Sequence, residues 1–322
     1  MNGDRAPSID AWTEYWKSGR GASCFEGSDV EVRLNRLWEQ LVDELSEGAR
    51  VLDLATGNGT VAACCAARGR ARGIGLTIEG VDAAAIHPAK YVPDARGALR
   101  DVRFHGNVRL EALPFRAAAF EVIVSQFGFE YAAEEPAVAE VARCLAPGGR
   151  LRFVLHAREG VVAQDTALRL QRLRSVLADE GALTLVLALA RAASTGDSAT
   201  IAVKSAKLPA AAENVRRLGA HPPPDDAALF YTSEFLRLWA RRERYHPSDL
   251  LRSIEDGWAN ARGVATRQEE MLKAARSASD ISRLCARFAG LGLEVADPRQ
   301  LRDARGAWIA WLLDANKKGG EP

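Results

Sequence analysis

The stretch VLDLATGNGT, Val51 to Thr60, constrains the fold more than any other part of the chain. Val51, Leu52, Asp53 and Leu54 read as a buried parallel strand with an acid near its tip, and Ala55, Thr56, Gly57, Asn58 and Gly59 are small enough to turn the backbone tightly into a helix. Strand, glycine turn and helix together make a nucleotide pocket. The acid decides which kind, because a dinucleotide site must cradle a pyrophosphate and Asp53 beside the turn repels phosphate. A cationic ligand without phosphate fits better.

At 322 residues the chain is long for one ordinary domain, which favours a single large domain or a core with a sizeable insertion. Lys and Arg total 43 against 42 for Asp and Glu, and the sequence pI is 7.7. Such a balance gives no bulk attraction for polyanions and disfavours nucleic acid as an obligatory partner. The cysteines, Cys24, Cys64, Cys65, Cys144 and Cys285, show no CxxC spacing and read as small core residues in a reducing compartment. MNGDRAPSIDAWTEYW has no apolar signal region, and the longest apolar run, around Leu183 to Ala190, is too short to span a bilayer. The expectation is a cytoplasmic protein with no membrane partner.

Residues 1–48 read as a helical arm, with Trp12, Tyr15 and Trp16 followed by Leu34, Leu37, Trp38, Leu41, Val42 and Leu45 at helical spacing. After the loop, Val61 to Arg68 reads as a helix and LTIEGVD, Leu76 to Asp82, as a second strand ending in an acid. Asp101 to Asn107 reads as a third strand and Phe120 to Gln126 as a fourth. Pro136 to Leu145 is a helix, Pro147-Gly148-Gly149 a turn and Arg150 to His156 a fifth strand. Residues 157–289 change to long amphipathic segments, Val161 to Ala178, Leu183 to Ala193, Ala227 to Arg244, Ser248 to Arg262 and Arg267 to Ala289, with His221-Pro222-Pro223-Pro224 between them. That is too long for an ordinary crossover and reads as a mostly helical insertion. In residues 290–322, Gly292 to Ala296 and Ala307 to Asp314, separated by a short polar stretch, read as an antiparallel hairpin.

VLDLATGNGT, Asp82, Leu113-Pro114-Phe115, SQFG and the EVARCLAPGGRLRFVLH phrase, in this order, resemble class I S-adenosylmethionine-dependent methyltransferases of the small-molecule type. The resemblance implies an α/β, Rossmann-like, seven-stranded mixed sheet with its last strand antiparallel and helices on both faces. Residues 49–156 and 290–322 are then the cofactor-binding core, and 157–289 is a helical lid inserted between strands five and six. It also implies S-adenosylmethionine as cofactor, with the loop Asp53, Ala55, Thr56, Gly57, Asn58 and Gly59 near its methionyl part. Asp82 with Ala83 takes the ribose, and Trp16 closes over the site from the arm. The usual first glycine of the loop is Ala55 here. The aspartate that the family sets before Leu-Pro-Phe to hold the adenine has no single counterpart: Asn107 and Arg109 both fall at that position, with Glu111 nearby, so backbone groups of Val108, Leu110 and Glu111 are expected to meet the adenine.

Ser125, Gln126 and Phe127 end the fourth strand at the carboxyl edge of the sheet, where the transferred methyl group is expected. Methyl transfer requires positioning, a dry pocket, and a base when the acceptor must lose a proton. His156, at the same edge, is the first candidate base, followed by Glu130 and Tyr131; on position alone His156 reads equally as a packing histidine. The histidines show no metal-ligand spacing, so no metal is expected. SQFGF lacks the Pro-Pro-aromatic motif of enzymes that methylate base amino groups. The expected reaction is therefore transfer to an oxygen or nitrogen of a small molecule. Two alternatives stay open: a cofactor-binding protein without transfer, such as a sensor, scaffold or cyclase, and a methyltransferase acting on a macromolecule.

Overall fold

The structure, a computed structural model, describes residues 9–18, 28–92, 97–217 and 226–319. Cys24 and the His221 to Pro224 cluster lie outside them. The chain divides into two compact units, residues 1–163 with 273–322, and residues 164–272.

The first unit opens with α1 (Ile9–Lys17) and α2 (Asp29–Asp43) and continues with β1 (Arg50–Leu54), α3 (Thr60–Arg72), β2 (Thr77–Val81), the short α4 (Pro88–Tyr91), β3 (Val102–His105), β4 (Phe120–Gln126), α5 (Glu134–Cys144) and β5 (Leu145–His156). From β5 the chain enters α6 (Val161–Leu177), and α7 (Ala182–Thr195), α8 (Ser198–Arg217), α9 (Ala227–Ala240) and α10 (Pro247–Ala274) follow; α11 (Ala278–Gly290), β6 (Leu293–Val295), β7 (Arg299–Arg302) and β8 (Trp308–Lys317) complete the first unit. The sheet runs β3-β2-β1-β4-β5-β8-β6. The first five strands are parallel to one another, and β8 lies antiparallel to β5, β6 and β7.

The expected seven-stranded sheet is seven strands wide, with its outer strand in two pieces. Leu293–Val295 and Arg299–Arg302 pair successive parts of one edge of β8, and Pro298 lies in the gap, where a residue without an N–H cannot extend a ladder. Part of the polar stretch before β8 is thus strand β7. Alternation sorts the side chains. Leu52, Leu54, Ile123, Leu151 and Phe153 enter one core with α5 and α11, while Val51, Ile78, Val122, Val124 and Val154 enter the other with α2 and α3. Burial on both faces is what a parallel sheet between helix layers requires.

The helical insertion expected at 157–289 forms a compact unit only over 164–272. The remainder, α11, buries Ile281, Leu284 and Phe288 in the sheet core, with the Phe288 ring 6.0 Å from Phe153. A capping box between Ser277 and Asp280 starts that helix. The segments expected at Ser248 to Arg262 and from Arg267 onward join as the 28-residue α10, since Gly263 sits inside a helix that packing sustains. Sequence periodicity missed α8, which carries Pro209 and a weakly segregated mix of alanine and polar residues. Within the second unit Leu183, Leu185, Val186 and Leu189 of α7 form a core with Phe235 and Trp239 of α9 and Ile254 of α10. The buried pair Arg172–Asp226, 2.6 Å apart, holds the N-cap residue of α9. No helix among the described residues is long and apolar enough to cross a membrane.

Lys317, at the end of β8, closes the far side of the sheet unit by donating from Nζ to the carbonyls of Ala142 at 2.6 Å and Leu145 at 2.8 Å. Lys317→Met leaves both part-buried acceptors without that donor and is expected to lower stability by about 1–3 kcal/mol in chemical denaturation. An unchanged denaturation midpoint would remove the bond from the stability account.

Candidate active site

The order of strands reverses between β1 and β4, so the turns that follow them diverge and open a crevice at the carboxyl edge. After β1 the chain turns with Ala55 at φ +50°, Gly57 at +54° and Gly59 at +83°. The loop residue that departs from glycine thus keeps a left-handed backbone, at a steric cost of about 1–2 kcal/mol for alanine. Room for its methyl comes from the turn after β4: a Cβ at Gly128 would stand 2.5 Å from the Ala55 Cβ.

Two buried carboxylates hold this turn. Asp53 Oδ2 accepts the Thr56 hydroxyl at 2.6 Å and the Ala62 N–H at 3.2 Å, fixing the loop from beneath. Asp82 Oδ2 accepts the Gly57 N–H and its Oδ1 the Ala84 N–H, each at 2.8 Å, so one side chain ties the turn after β1 to the turn after β2. The Thr56 N–H reaches Val81 O at 2.9 Å, and the Val108 N–H reaches Asp82 O at 2.9 Å. Desolvation pushes Asp53 up to about 7 against the pull of its Thr56 and Ala62 bonds, with the Asp82 charge adding to the rise. Desolvation likewise pushes Asp82 up to about 6 against its two backbone donors. A cation brought beside these groups would relieve both.

The cavity above them, about 710 Å³ including its mouth, brings together seven of the residues expected at a cofactor site and one of the expected bases, Tyr131. Trp16, Ala55, Asp82, Ala83, Leu110, Glu111, Phe127 and Tyr131 line it. Ile9, Trp12, Ala84, Arg109, Gly128 and Ala132 line it too. Of these, Trp12 was legible from its spacing to Trp16, one helical turn, and Gly128 as the end of SQFG, whereas Ala132 is a small residue with no signal of its own. Glu111 carries two bonds, from the Ala133 N–H at 2.9 Å and from Arg109 at 3.3 Å. Burial raises it, and these donors together outweigh burial and hold it below the usual carboxylate range.

Helix α1 is fastened across the cavity. Asn58 Nδ2 donates to Trp16 O at 3.1 Å, the Ala85 N–H donates to the Thr13 hydroxyl at 3.1 Å, and the Trp12 ring meets Tyr131 edge-on at 5.5 Å. A Cβ at Gly57 would stand 2.4 Å from the Trp16 ring, so only glycine lets the indole rest on the loop.

The remaining expected residues lie behind the cavity wall. Ser125 is fully buried and donates to Leu54 O while accepting the Phe129 N–H, both at 3.0 Å. Gln126 Oε1 accepts from Trp38 Nε1 at 2.8 Å, which turns the side chain toward α2. Val108, Thr56, Gly57, Asn58, Gly59 and Asp53 shape the loops without lining the cavity. His156 and Glu130 form a buried pair: Glu130 Oε1 accepts from the His156 backbone N–H at 2.8 Å and from its Nδ1 at 2.7 Å. The Phe127 ring, on a residue with φ +56°, lies 4.5 Å from the imidazole, and Tyr131 meets it edge-on at 6.1 Å. Two wall residues therefore stand against the buried pair. The sequence showed His156 and Glu130 separately, and their separation of 26 positions is no spacing that pairs them.

A family model described as a methyltransferase domain matches residues 51–149. Over 105 residues, 32% of this chain and 44% of the relative, the sequence is 41% identical to a demethylmenaquinone methyltransferase of Thermus thermophilus. Over 127 residues, 37% of this chain and 47% of the relative, it is 37% identical to the ubiquinone/menaquinone biosynthesis C-methyltransferase UbiE of Stutzerimonas stutzeri. The chain thus spans less than half the length of these curated relatives. Among solved structures it aligns with the YcgJ protein of Bacillus subtilis at 16% identity and a TM-score of 0.43, covering 90% of this chain and 100% of that one. Domain match, relatives and sequence motifs agree on a class I S-adenosylmethionine-dependent methyltransferase core.

The raised carboxylates set a pH dependence. The folded state holds protons on Asp53 and Asp82 that the unfolded chain releases near its ordinary carboxylate value, so their contribution to stability is lost as pH rises between about 4 and about 7, by on the order of a few kcal/mol. Asp53→Asn should flatten that fall in thermal melts of the ligand-free protein. A melt series for Asp53→Asn that still tracks the wild type across this window would refute the assignment.

Proposed function

We propose that this chain, whose residues 51–149 carry the methyltransferase-domain sequence, transfers the methyl group of S-adenosylmethionine to a small-molecule acceptor. The observation that carries the reading is the meeting of Ala55, Asp82, Leu110, Glu111 and Phe127, from four separate loops, around one cavity at the strand-order reversal. Its chemistry fits that cofactor. Asp82 is exposed to the cavity over a sliver of its surface, and its oxygens keep lone pairs for two ribose hydroxyls beyond the backbone donors they already accept. Arg109, the cation of the lining, is paired with Glu111, so the described wall favours a cationic nucleoside over a phosphate. Leu110 and Glu111 would meet the adenine, Ala55 the methionyl end, and Trp16 would cover it. When bound, S-adenosylmethionine supplies an electrophilic methyl on a positively charged sulfur and with it the driving force.

The chain's own residues then position, dry and deprotonate. Trp12, Trp16, Phe127 and Tyr131 give the cavity apolar walls that exclude water. Glu130 accepts Nδ1–H of His156, which leaves Nε2 as the unprotonated nitrogen and stabilises the imidazolium that forms when Nε2 takes a proton. In this reading Tyr131 orients the acceptor. The acceptor atom is an oxygen or nitrogen. The lid role of the helical insertion, a cytoplasmic setting and no need of nucleic acid or membrane belong to the same proposal.

A second reading, cofactor binding without transfer, draws on the position of His156 and Glu130 outside the residues lining the cavity. The two separate in one series of measurements. Calorimetry should give micromolar binding of S-adenosylmethionine, weakened about 10- to 100-fold by Asp82→Ala. His156→Gln should keep that binding and lower turnover by about 10²- to 10⁴-fold in an acceptor screen that detects demethylated cofactor. Binding without turnover on any acceptor selects the second reading, and no binding at millimolar ligand rejects both.

A further inference from the structure

We propose that Arg276 is a positioning residue for the Glu130–His156 pair, holding Glu130 so that His156 keeps its proton on Nδ1 and its lone pair on Nε2. The inference rests on the catalytic reading of that pair. Arg276 follows the last helix of the insertion in sequence, and its backbone is set in place by the sheet unit. Its N–H donates to His156 O at 2.8 Å, its carbonyl accepts from Arg158 N at 3.0 Å and from Trp311 Nε1 at 3.0 Å, and Ala157 forms a parallel bridge with it. The peptide that carries this guanidinium is thereby bonded to the histidine itself.

From there the side chain reaches the other member. Arg276 Nη2 donates to the Glu130 carbonyl at 3.0 Å, and Nη1 lies 3.6 Å from Glu134, which Arg287 holds at 3.0 Å. Arg276 thus touches the main chain of His156 through its own peptide and the main chain of Glu130 through its guanidinium. The Glu130 side chain is fully buried and the Arg276 side chain is partly buried, at 16% exposure. Glu130 Oε2 and Arg276 Nε are both buried without a hydrogen-bond partner among the described residues. They are of complementary sign, on residues already in contact. Purely structural staples tend to satisfy every buried polar atom, and unmatched ones concentrate where function requires them.

If Glu130 turned away, the imidazole would lose the acceptor that selects its tautomer. Neither contact involves the cavity lining, so Arg276 acts through the pair and not on a ligand.

The test needs no acceptor. In full-length protein labelled with ¹⁵N, the ring nitrogens of His156 are assigned by their disappearance in His156→Gln, against the four other histidines of the chain. The expected wild-type signature is two well-separated nitrogens and a downfield Nδ1–H proton. Arg276→Gln, which keeps a donor and loses the charge, should collapse the separation toward the averaged values of a free imidazole and lose that proton signal. Arg276→Lys, which keeps the charge, should restore part of both. Circular dichroism confirms that each variant is folded, and the comparison of Lys with Gln stands even where Arg276→Ala does not fold. Wild-type nitrogen shifts in Arg276→Gln, or equal behaviour of Gln and Lys, would overturn the proposal. Failure of the catalytic reading shows differently, as full turnover in His156→Gln with the Arg276 effects on the ring intact.

Discussion

The bond pair made by Asp82 is the constraint on which the site depends. A single carboxylate at the end of β2 accepts one N–H from the turn after β1 and one from the turn after β2, and so fixes their separation. Removing those N–H groups from water would be costly if they were left unpaired. Asp82 satisfies them and remains at the cavity wall. The cost falls on the carboxylate, whose affinity for a proton rises with burial. A site assembled this way is held together by the negative charge that it offers to a ligand.

Around that bond the small residues act as spacers. Gly57 lets the Trp16 ring rest on the loop, and Gly128 lets the turn after β4 approach the Ala55 methyl. Ala55 and Phe127 sit in left-handed backbone on either side of this contact, so two turns of the crevice hold local strain that the sheet beneath over-determines. The wall that they form separates the cavity from the His156–Glu130 pair. The cavity and the pair therefore occupy adjoining layers of one edge of the sheet.

Much of this was legible in sequence because it depends on local pattern. The apolar strand before the loop, the acid ending β2 and the EVARCLAPGGRLRFVLH phrase each specify their own element, although β5 begins at Leu145 instead of Arg150 and takes in the expected turn at Pro147-Gly148-Gly149, where its pairing with β4 shifts register. The adenine side was legible only as a stretch. Asn107 takes φ +59° and turns the chain, and Glu111 is drawn to Ala133 and Arg109, so the position of the missing aspartate is divided among residues with different tasks. The helical insertion was legible as helices but not in its extent, because α10 is sustained by tertiary packing across a glycine and α11 belongs to the sheet.

By itself the sequence determined the parallel α/β core and the character of its pocket, since strand hydrophobicity, glycine turns and strand-end acids act within a few residues of themselves. Only the tertiary structure decided what each polar side chain does. It turned Gln126 onto Trp38, placed Asp53 under the loop, joined His156 to Glu130 and brought Arg276 to both. Those partners lie 3 to 146 residues apart. The physical reason is that a buried polar group must find its complement wherever folding brings one, and no periodicity in the chain records that distance.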